Sequence, residues 1–330
     1  MTGQLPAPHG RKKVTLPARL PTVALALGGG GARGLAHILM LEALDELGVR
    51  PVAIAGTSIG AIFGAAYASG LRAAEIRAHS EQVLGQRFDL VRDLFAARSI
   101  PFTKLWSLIP MRSALLDPTV LLEIVMPSRL KRDFTELEIP LKIVASDFYG
   151  QEPVVFTNGD LRKAVAASMA LPVIFQPVMH EGRALIDGGL TNPLPFDLLT
   201  GEADFVVAID VSGAPVPSDK RDHPSAVEAL WAISFIFERT IVREKLKSLQ
   251  PDIYVDAGTS HFQVGEFWKF AQILEAAAPA KARFKAQLAR VLGAETLAVT
   301  GDDAAPAVEG KGVDHAGPRR RRLGRPRKDD

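Results

Sequence analysis

Residues 56–60 read Gly-Thr-Ser-Ile-Gly, which places a glycine two positions to either side of Ser58. The apolar run 52–56 before it has the character of a strand. After it, Ile59, Ile62, Phe63, Ala66 and Tyr67 fall on one helical face. G-x-S-x-G at a strand-to-helix junction is the arrangement of a nucleophile elbow. The sharp turn holds the serine in a strained backbone, Gly56 and Gly60 let neighbouring segments approach, and the helix N-terminus turns free N–H groups toward the hydroxyl. The same serine also fits a plain helix N-cap, a job Thr57 could share.

Earlier in the chain, "ALALGGGGARGLAH" spans residues 24–37. Gly29, Gly31 and Gly34 satisfy G-x-G-x-x-G between a strand and a helix, which is the fingerprint of a dinucleotide site. That reading needs an acidic residue at the end of the second strand to hold a ribose, and Gly56, Thr57 and Ser58 stand there instead. An acyl-transfer enzyme, by contrast, needs backbone N–H donors aimed at the oxyanion of its tetrahedral intermediate. Consecutive glycines let the main chain approach a substrate and present such donors, so the loop and the elbow explain each other. Arg33 either braces this loop, attracts an anionic head group, or is an ordinary core-edge arginine.

A serine hydroxyl needs a base to take its proton. The seven histidines are at positions 9, 37, 79, 180, 223, 261 and 315. His9 and His315 fall in polar ends, His223 in a polar loop, and His261 has chain order alone in its favour. His37 is expected to pack in a helix near the site. The better candidate is Asp187 in "LIDGGLTNPLP", where a carboxylate follows an apolar pair and precedes Gly188 and Gly189. Taken alone, Asp-Gly is more simply a turn.

Gly29-Gly30-Gly31-Ala32-Arg33-Gly34, Gly56-Thr57-Ser58-Ile59-Gly60 and Asp187-Gly188-Gly189, in this order, resemble the patatin-like phospholipase family, and its short bacterial members most. The resemblance covers roughly residues 20–295, and "AVAASMALPVIFQPV" (164–178) also looks like the family's segment before the aspartate. It implies a Ser–Asp dyad without histidine. Ser58 would be the nucleophile, Asp187 the base, and Gly29, Gly30 and Gly31 the oxyanion donors. Arg33, Gly34, Gly56, Gly60, Gly188 and Gly189 would support them. No metal or cofactor is implied, and the substrate would be a lipid ester. A carboxylate is a poor base in water, so burial must raise its proton affinity or the serine proton must be strongly shared. A general carboxylesterase or thioesterase would use the same residues.

These residues need a frame. The runs 22–27, 52–56, 141–147, 153–159 and 204–212 read as strands, and several lack alternation, as strands covered on both faces should. Helical patterns at 35–48, after Ser58, at 225–249 and at 264–293 separate or follow them. The fold class is therefore α/β with a mostly parallel sheet, and the resemblance specifies a three-layer α/β/α patatin-like fold. Residues 1–20 read as a flexible leader, 21–298 as the acyl-hydrolase domain and 299–330 as a disordered basic tail.

The chain has 330 residues, no cysteine and a net charge of +2. Disulfides, thiolate catalysis and thiolate metal sites are excluded. No stretch reads as a signal peptide or as a membrane span of about 18 apolar residues. The expected location is cytoplasmic, with peripheral contact at the inner face of an anionic membrane.

Residues 319–330 carry seven Arg or Lys and two Asp, leaving the preceding 318 residues at −3. Such a tail suits anionic lipid head groups. Gly324-Arg325-Pro326 also resembles an AT-hook core that binds nucleic acid, although Leu323 stands where a basic residue is usual. Lipid ranks above DNA, and a solvated tail of no specific use is the plain alternative. The apolar segment 88–116 reads as ordinary inserted packing before it reads as an acyl-pocket wall or membrane flap. Trp231, Phe235 and Phe237 read as core.

Overall fold

The computed structural model describes residues 21–86, 116–172, 174–214, 223 and 226–293. The leader, the basic tail and all of the 88–116 segment except Leu116 lie outside the described residues. Eight strands form one sheet: β1 (Val23–Leu27), β2 (Ala53–Thr57), β3 (Leu141–Asp147), β4 (Pro153–Phe156), β5 (Val178–His180), β6 (Arg183–Asp187), β7 (Phe205–Asp210) and β8 (Ile253–Asp256). Hydrogen-bonded neighbours follow the order β5-β6-β3-β2-β1-β7-β8, with β4 also paired to β3. The run β3-β2-β1-β7-β8 is parallel, and β4, β5 and β6 are antiparallel to their neighbours.

The helices are α1 (His37–Glu46), α2 (Ile59–Ala68), α3 (Ala73–Gln86), α4 (Pro118–Val125), α5 (Leu161–Ser168), α6 (Ala226–Ser248) and α7 (Phe270–Val291). They cover both faces of the sheet. Val23, Leu25, Leu27, Ile54, Val207 and Ile209 belong to the larger core that α1, α2, α5 and α7 close. Ala24, Ala26, Ala53, Ala55 and Ala208 point the other way, onto Leu194, Phe196, Leu199 and Val242 of α6. The period-2 alternation of strands sorts the residues so, and the alanines let this second layer lie close. The result is the expected three-layer α/β/α fold.

Several expected elements differ in extent. The strand expected over 153–159 stops at Phe156, and helix 35–48 begins as a 3-10 turn, Gly31–Ala36, before α1. The helix expected from 264 starts at Phe270, after a 3-10 turn at Phe267–Lys269, and carries Pro279 inside it. The short strands β5 and β8 have no counterpart in the sequence pattern. Among the described residues, no helix is long and apolar enough to cross a membrane.

The register around β3 decides where the site lies. Val144 pairs with Thr57 of β2 and with Val155 of β4, while Ala145 pairs with Asp187 of β6 and with Val154 of β4. A strand has two edges, so β4 occupies one, and β2 and β6 share the other. They run in opposite directions and meet end to end there. The last residue of β2 and the last residue of β6 are thus neighbours along one edge of β3.

The first turn of α2 crosses the end of β1 with no side chain between, and a Cβ on Gly60 would run into the Leu27 carbonyl. Alanine normally stabilises a helix interior over glycine by about 1 kcal/mol. Gly60→Ala should instead destabilise by about 1–3 kcal/mol, as overpacking does. Urea unfolding of the two proteins measures the sign.

Candidate active site

Ser58 follows the last residue of β2 and holds φ 55° and ψ −120°, a conformation that L residues rarely adopt. Its surroundings over-determine it. The Ser58 N–H donates to Ser168 Oγ at 2.8 Å, and Ser168 Oγ in turn donates to the Val144 carbonyl at 2.5 Å. Thr57 Oγ1 donates to the Asn192 carbonyl at 2.8 Å. Ala61 and Ile62 N–H groups both donate to the Ser58 carbonyl, which starts α2. The strained turn is therefore tied to β3, α5 and the loop after Gly189.

Asp187 ends β6. Its Oδ2 accepts from Ser58 Oγ at 2.6 Å and its Oδ1 accepts from the Gly189 N–H at 2.7 Å. The aspartate is thus a turn residue and a partner of Ser58 at once, one oxygen for each. Ser146 Oγ on β3 donates to the Asp187 carbonyl at 2.8 Å and fixes the backbone beneath. Gly188 lies against the Val144 carbonyl and Thr57 Cγ2, where a Cβ would have no room. Asp187 is only 4% exposed. Burial pushes its carboxyl up to about 6, and the hydrogen bonds from Ser58 and Gly189 pull in the opposite direction.

The glycine loop reaches the same place. Gly29, Gly30 and Gly31 line a cavity of about 160 Å³ together with Ser58 and Asp187. One expectation changes here: the Gly29 N–H donates to the Pro193 carbonyl at 2.9 Å, so it is not available as an oxyanion donor. Among the described residues nothing accepts from the N–H groups of Gly30 and Gly31. Ile59, at the first position of α2, likewise has no intrahelical acceptor. Gly31, at φ +58°, lies against Val264 in a conformation suited to glycine, and Gly34 packs on Ile59.

Arg33 is 2% exposed, donates to the carbonyls of Val211 and Phe262, and stacks its guanidinium 4.7 Å above the Phe235 ring. Its placement is that of a brace behind the loop. His37 is fully buried with Nε2 2.9 Å from the Gly28 carbonyl. Burial pushes the imidazole down to about 4, so it is neutral and donates through Nε2. It packs near the site, as expected, without reaching Asp187. His261 stacks on Phe262. Among the described residues no three acidic or histidine side chains gather as a metal site.

The cavity continues from Ser58 along Ile59, Ile62, Phe63 and Ala66 of α2 toward Ile76 of α3 and Leu121 of α4. From Ser58 to Ala66 this is about 12 Å of helix at 1.5 Å per residue. Phe235 lines the cavity, whereas Phe237, expected in the core, is 59% exposed; the Trp231 side chain lies outside the described residues. Ser168 and Glu238 were missed. Ser168 stands inside the 164–178 stretch with nothing local to mark it, and Glu238 arrives from α6, far along the chain.

A buried carboxylate whose proton affinity is raised has a sign in stability. The unfolded chain releases the Asp187 proton near 3.8, while the folded chain holds it to about 6. The folded state binds more protons in that window, so stability falls as pH rises through it and levels off above. Relative to Asp187→Asn, the wild type should lose on the order of 3 kcal/mol between pH 4 and 7. Urea unfolding at stepped pH checks this, and a difference that stays flat would refute the raised proton affinity.

The model of the patatin-like phospholipase family matches residues 25–200. An NTE family protein of Mycobacterium tuberculosis is 38% identical over 212 residues, covering 64% of this chain and 54% of that protein. Patatin-like phospholipase domain-containing protein 7 of Rattus norvegicus is 32% identical over 216 residues, covering 64% of this chain and 15% of that one. The chain thus spans about half the length of the mycobacterial relative and far less of the rat one. Among solved structures, human GIVD cytosolic phospholipase A2 aligns over 83% of this chain and 60% of that chain, at 12% identity and a TM-score of 0.40. With its family model matched across the glycine loop, the Ser58 turn and the Asp187 strand end, the chain belongs to the patatin-like phospholipase family.

Proposed function

We propose that the protein is a serine lipid acyl hydrolase that cleaves carboxylic esters with Ser58 as nucleophile and Asp187 as base. The observation that carries this reading is the 2.6 Å hydrogen bond from Ser58 Oγ to Asp187 Oδ2, made where the apolar cavity begins. The Ser58 proton passes to Asp187 as Oγ attacks the ester carbonyl carbon. The oxyanion is received by the N–H groups of Gly30, Gly31 and Ile59. Asp187 returns the proton to the departing alkoxide, which leaves as the alcohol or lysolipid. Water then gives a proton to Asp187 and attacks the acyl-serine. The second tetrahedral intermediate releases the fatty acid, and the proton returns to Ser58 Oγ.

The cavity favours a lipid over a small ester. Its walls from Ile59 to Leu121 are apolar and can hold a linear acyl chain, with gain from each buried methylene of about 0.8 kcal/mol. A general carboxylesterase or thioesterase would use the same dyad without needing that depth.

Hydrolysis of a phospholipid and of p-nitrophenyl esters of increasing chain length tests the proposal. Ser58→Ala and Asp187→Asn should each lose about 10³-fold or more, as members of a unit do. Activity should also fall below pH 6 as Asp187 takes up its proton. Full activity in Ser58→Ala would refute the site. Ala66→Phe, which narrows the cavity away from the dyad, should shift preference toward shorter chains with activity on the acetate ester kept.

A further inference from the structure

Glu238 projects from α6 into the same cavity and is 4% exposed. Ser58, Asp187 and the glycines explain the proposed chemistry without it, yet a carboxyl group is not placed in an apolar cavity without consequence. A Cβ on Gly189 would lie 2.9 Å from Glu238 Oε1 and 3.1 Å from Asp187 Oδ1. The two carboxyl oxygens are therefore no farther apart than the sum of those distances, about 6 Å. Asp187 Oδ2 is the oxygen bonded to Ser58, and Oδ1 is the one that lies with Glu238 Oε1 around the Cβ position of Gly189.

Two carboxyl groups this close in a buried site do not both ionise at neutral pH. The charges facing Glu238 decide which keeps the proton. They are Asp187 at the end of β6, Arg33 in the turn after the glycine loop, and Asp210 at the end of β7. Burial is the largest influence and pushes Glu238 up to about 8. Asp187 and Asp210 add to it, and Arg33 opposes. Asp187 instead has two donors, Ser58 Oγ and Gly189 N–H, to stabilise its charge. Within this pair, burial and the neighbouring charges favour the proton on Glu238, and the two donors favour the negative charge on Asp187.

Resting on the function proposed above, we infer that Glu238 is a positioning residue for the Ser58–Asp187 pair, acting as a neutral acid that leaves the single negative charge of the two carboxyl groups on Asp187. Its ionisation puts a second negative charge into the cavity where the oxyanion must develop. The reaction then stops, although the dyad is intact.

The test is the pH profile of kcat/KM from pH 5 to 10 on an uncharged short-chain alkyl ester, with acid release followed by titration. Wild type should show an acid limb near 6 and an alkaline limb near 8, the latter falling about tenfold per pH unit, as loss of one proton requires. Glu238→Gln, isosteric and uncharged, should keep the acid limb and lose the alkaline one. An active wild type whose alkaline limb survives unchanged in Glu238→Gln overturns this inference alone, as does a uniform loss at every pH, the mark of mere packing. A wild type inert on every ester overturns the function proposed above and this inference with it. Should Glu238→Gln fail to fold, 13C-glutamate spectra of the wild type decide. One carboxyl titrating near 8 supports the inference, and none above 6 overturns it.

Discussion

The structure turns on two strands that meet end to end. β2 and β6 lie on one edge of β3 in opposite directions, and the register puts Thr57 beside Val144 and Asp187 beside Ala145. In an all-parallel sheet, chemistry gathers in loops beyond the strand ends. Here the antiparallel β6 delivers a carboxylate from within the sheet itself, at the level where β2 releases its serine. The glycines follow from this. Gly188 must pass the Val144 carbonyl, and Gly56 and Gly60 must let α2 leave β2 over the end of β1. A Cβ on Gly188 would meet the Val144 carbonyl, one on Gly56 would meet Gly60 and Ala61, and one on Gly60 would meet the Leu27 carbonyl, so none of the three has room for a side chain.

Holding that contact is costly, and the neighbours offset the cost. Ser58 has a positive φ, worth about 1–3 kcal/mol of strain, and Asp187 must ionise while buried. Separate hydrogen bonds hold the two residues from beneath: Ser168 joins Ser58 to Val144 of β3, Ser146 holds the Asp187 carbonyl, and Thr57 holds the Asn192 carbonyl in the loop after Gly189. Asn192 is itself held by Asp197 and by Lys245 of α6. The second layer of the fold thus grips the loop that follows Asp187, and the first layer grips the helix that follows Ser58.

What the sequence made legible was local. A glycine run, a serine between glycines and an aspartate before two glycines are each backbone demands written in adjacent letters, and the shared features of the family order them. Gly29 was misread because its N–H is committed to Pro193, a residue far along the chain. Phe237 was misread because residues 233–237 are apolar at four of five positions. Such a run cannot show which side of α6 faces inward. Phe235 and Glu238 do face inward, while Ile233, Ile236 and Phe237 face out. β8 alternates buried and exposed residues over only four positions, and β5 has three, too short for a period to emerge.

In the proposed mechanism the proton passes to a carboxylate and not to a histidine, which is a matter of balance. His37 lies near the site, but its Nε2 is fixed on the Gly28 carbonyl and burial keeps the ring neutral. A carboxylate in its ordinary range is too weak a base to draw a proton from a serine, while one raised too far would already be protonated at neutral pH. Burial raises Asp187, and the Ser58 and Gly189 hydrogen bonds limit the rise, leaving it near the pH at which a base is both available and effective. The same burial would leave Glu238 and Asp187 competing for one proton if their surroundings were alike. They are not, because Asp187 sits at a strand end where two donors converge and Glu238 sits on a helix in an otherwise largely apolar cavity. The asymmetry of two backbone positions, rather than the chemistry of two carboxyl groups, assigns the charge.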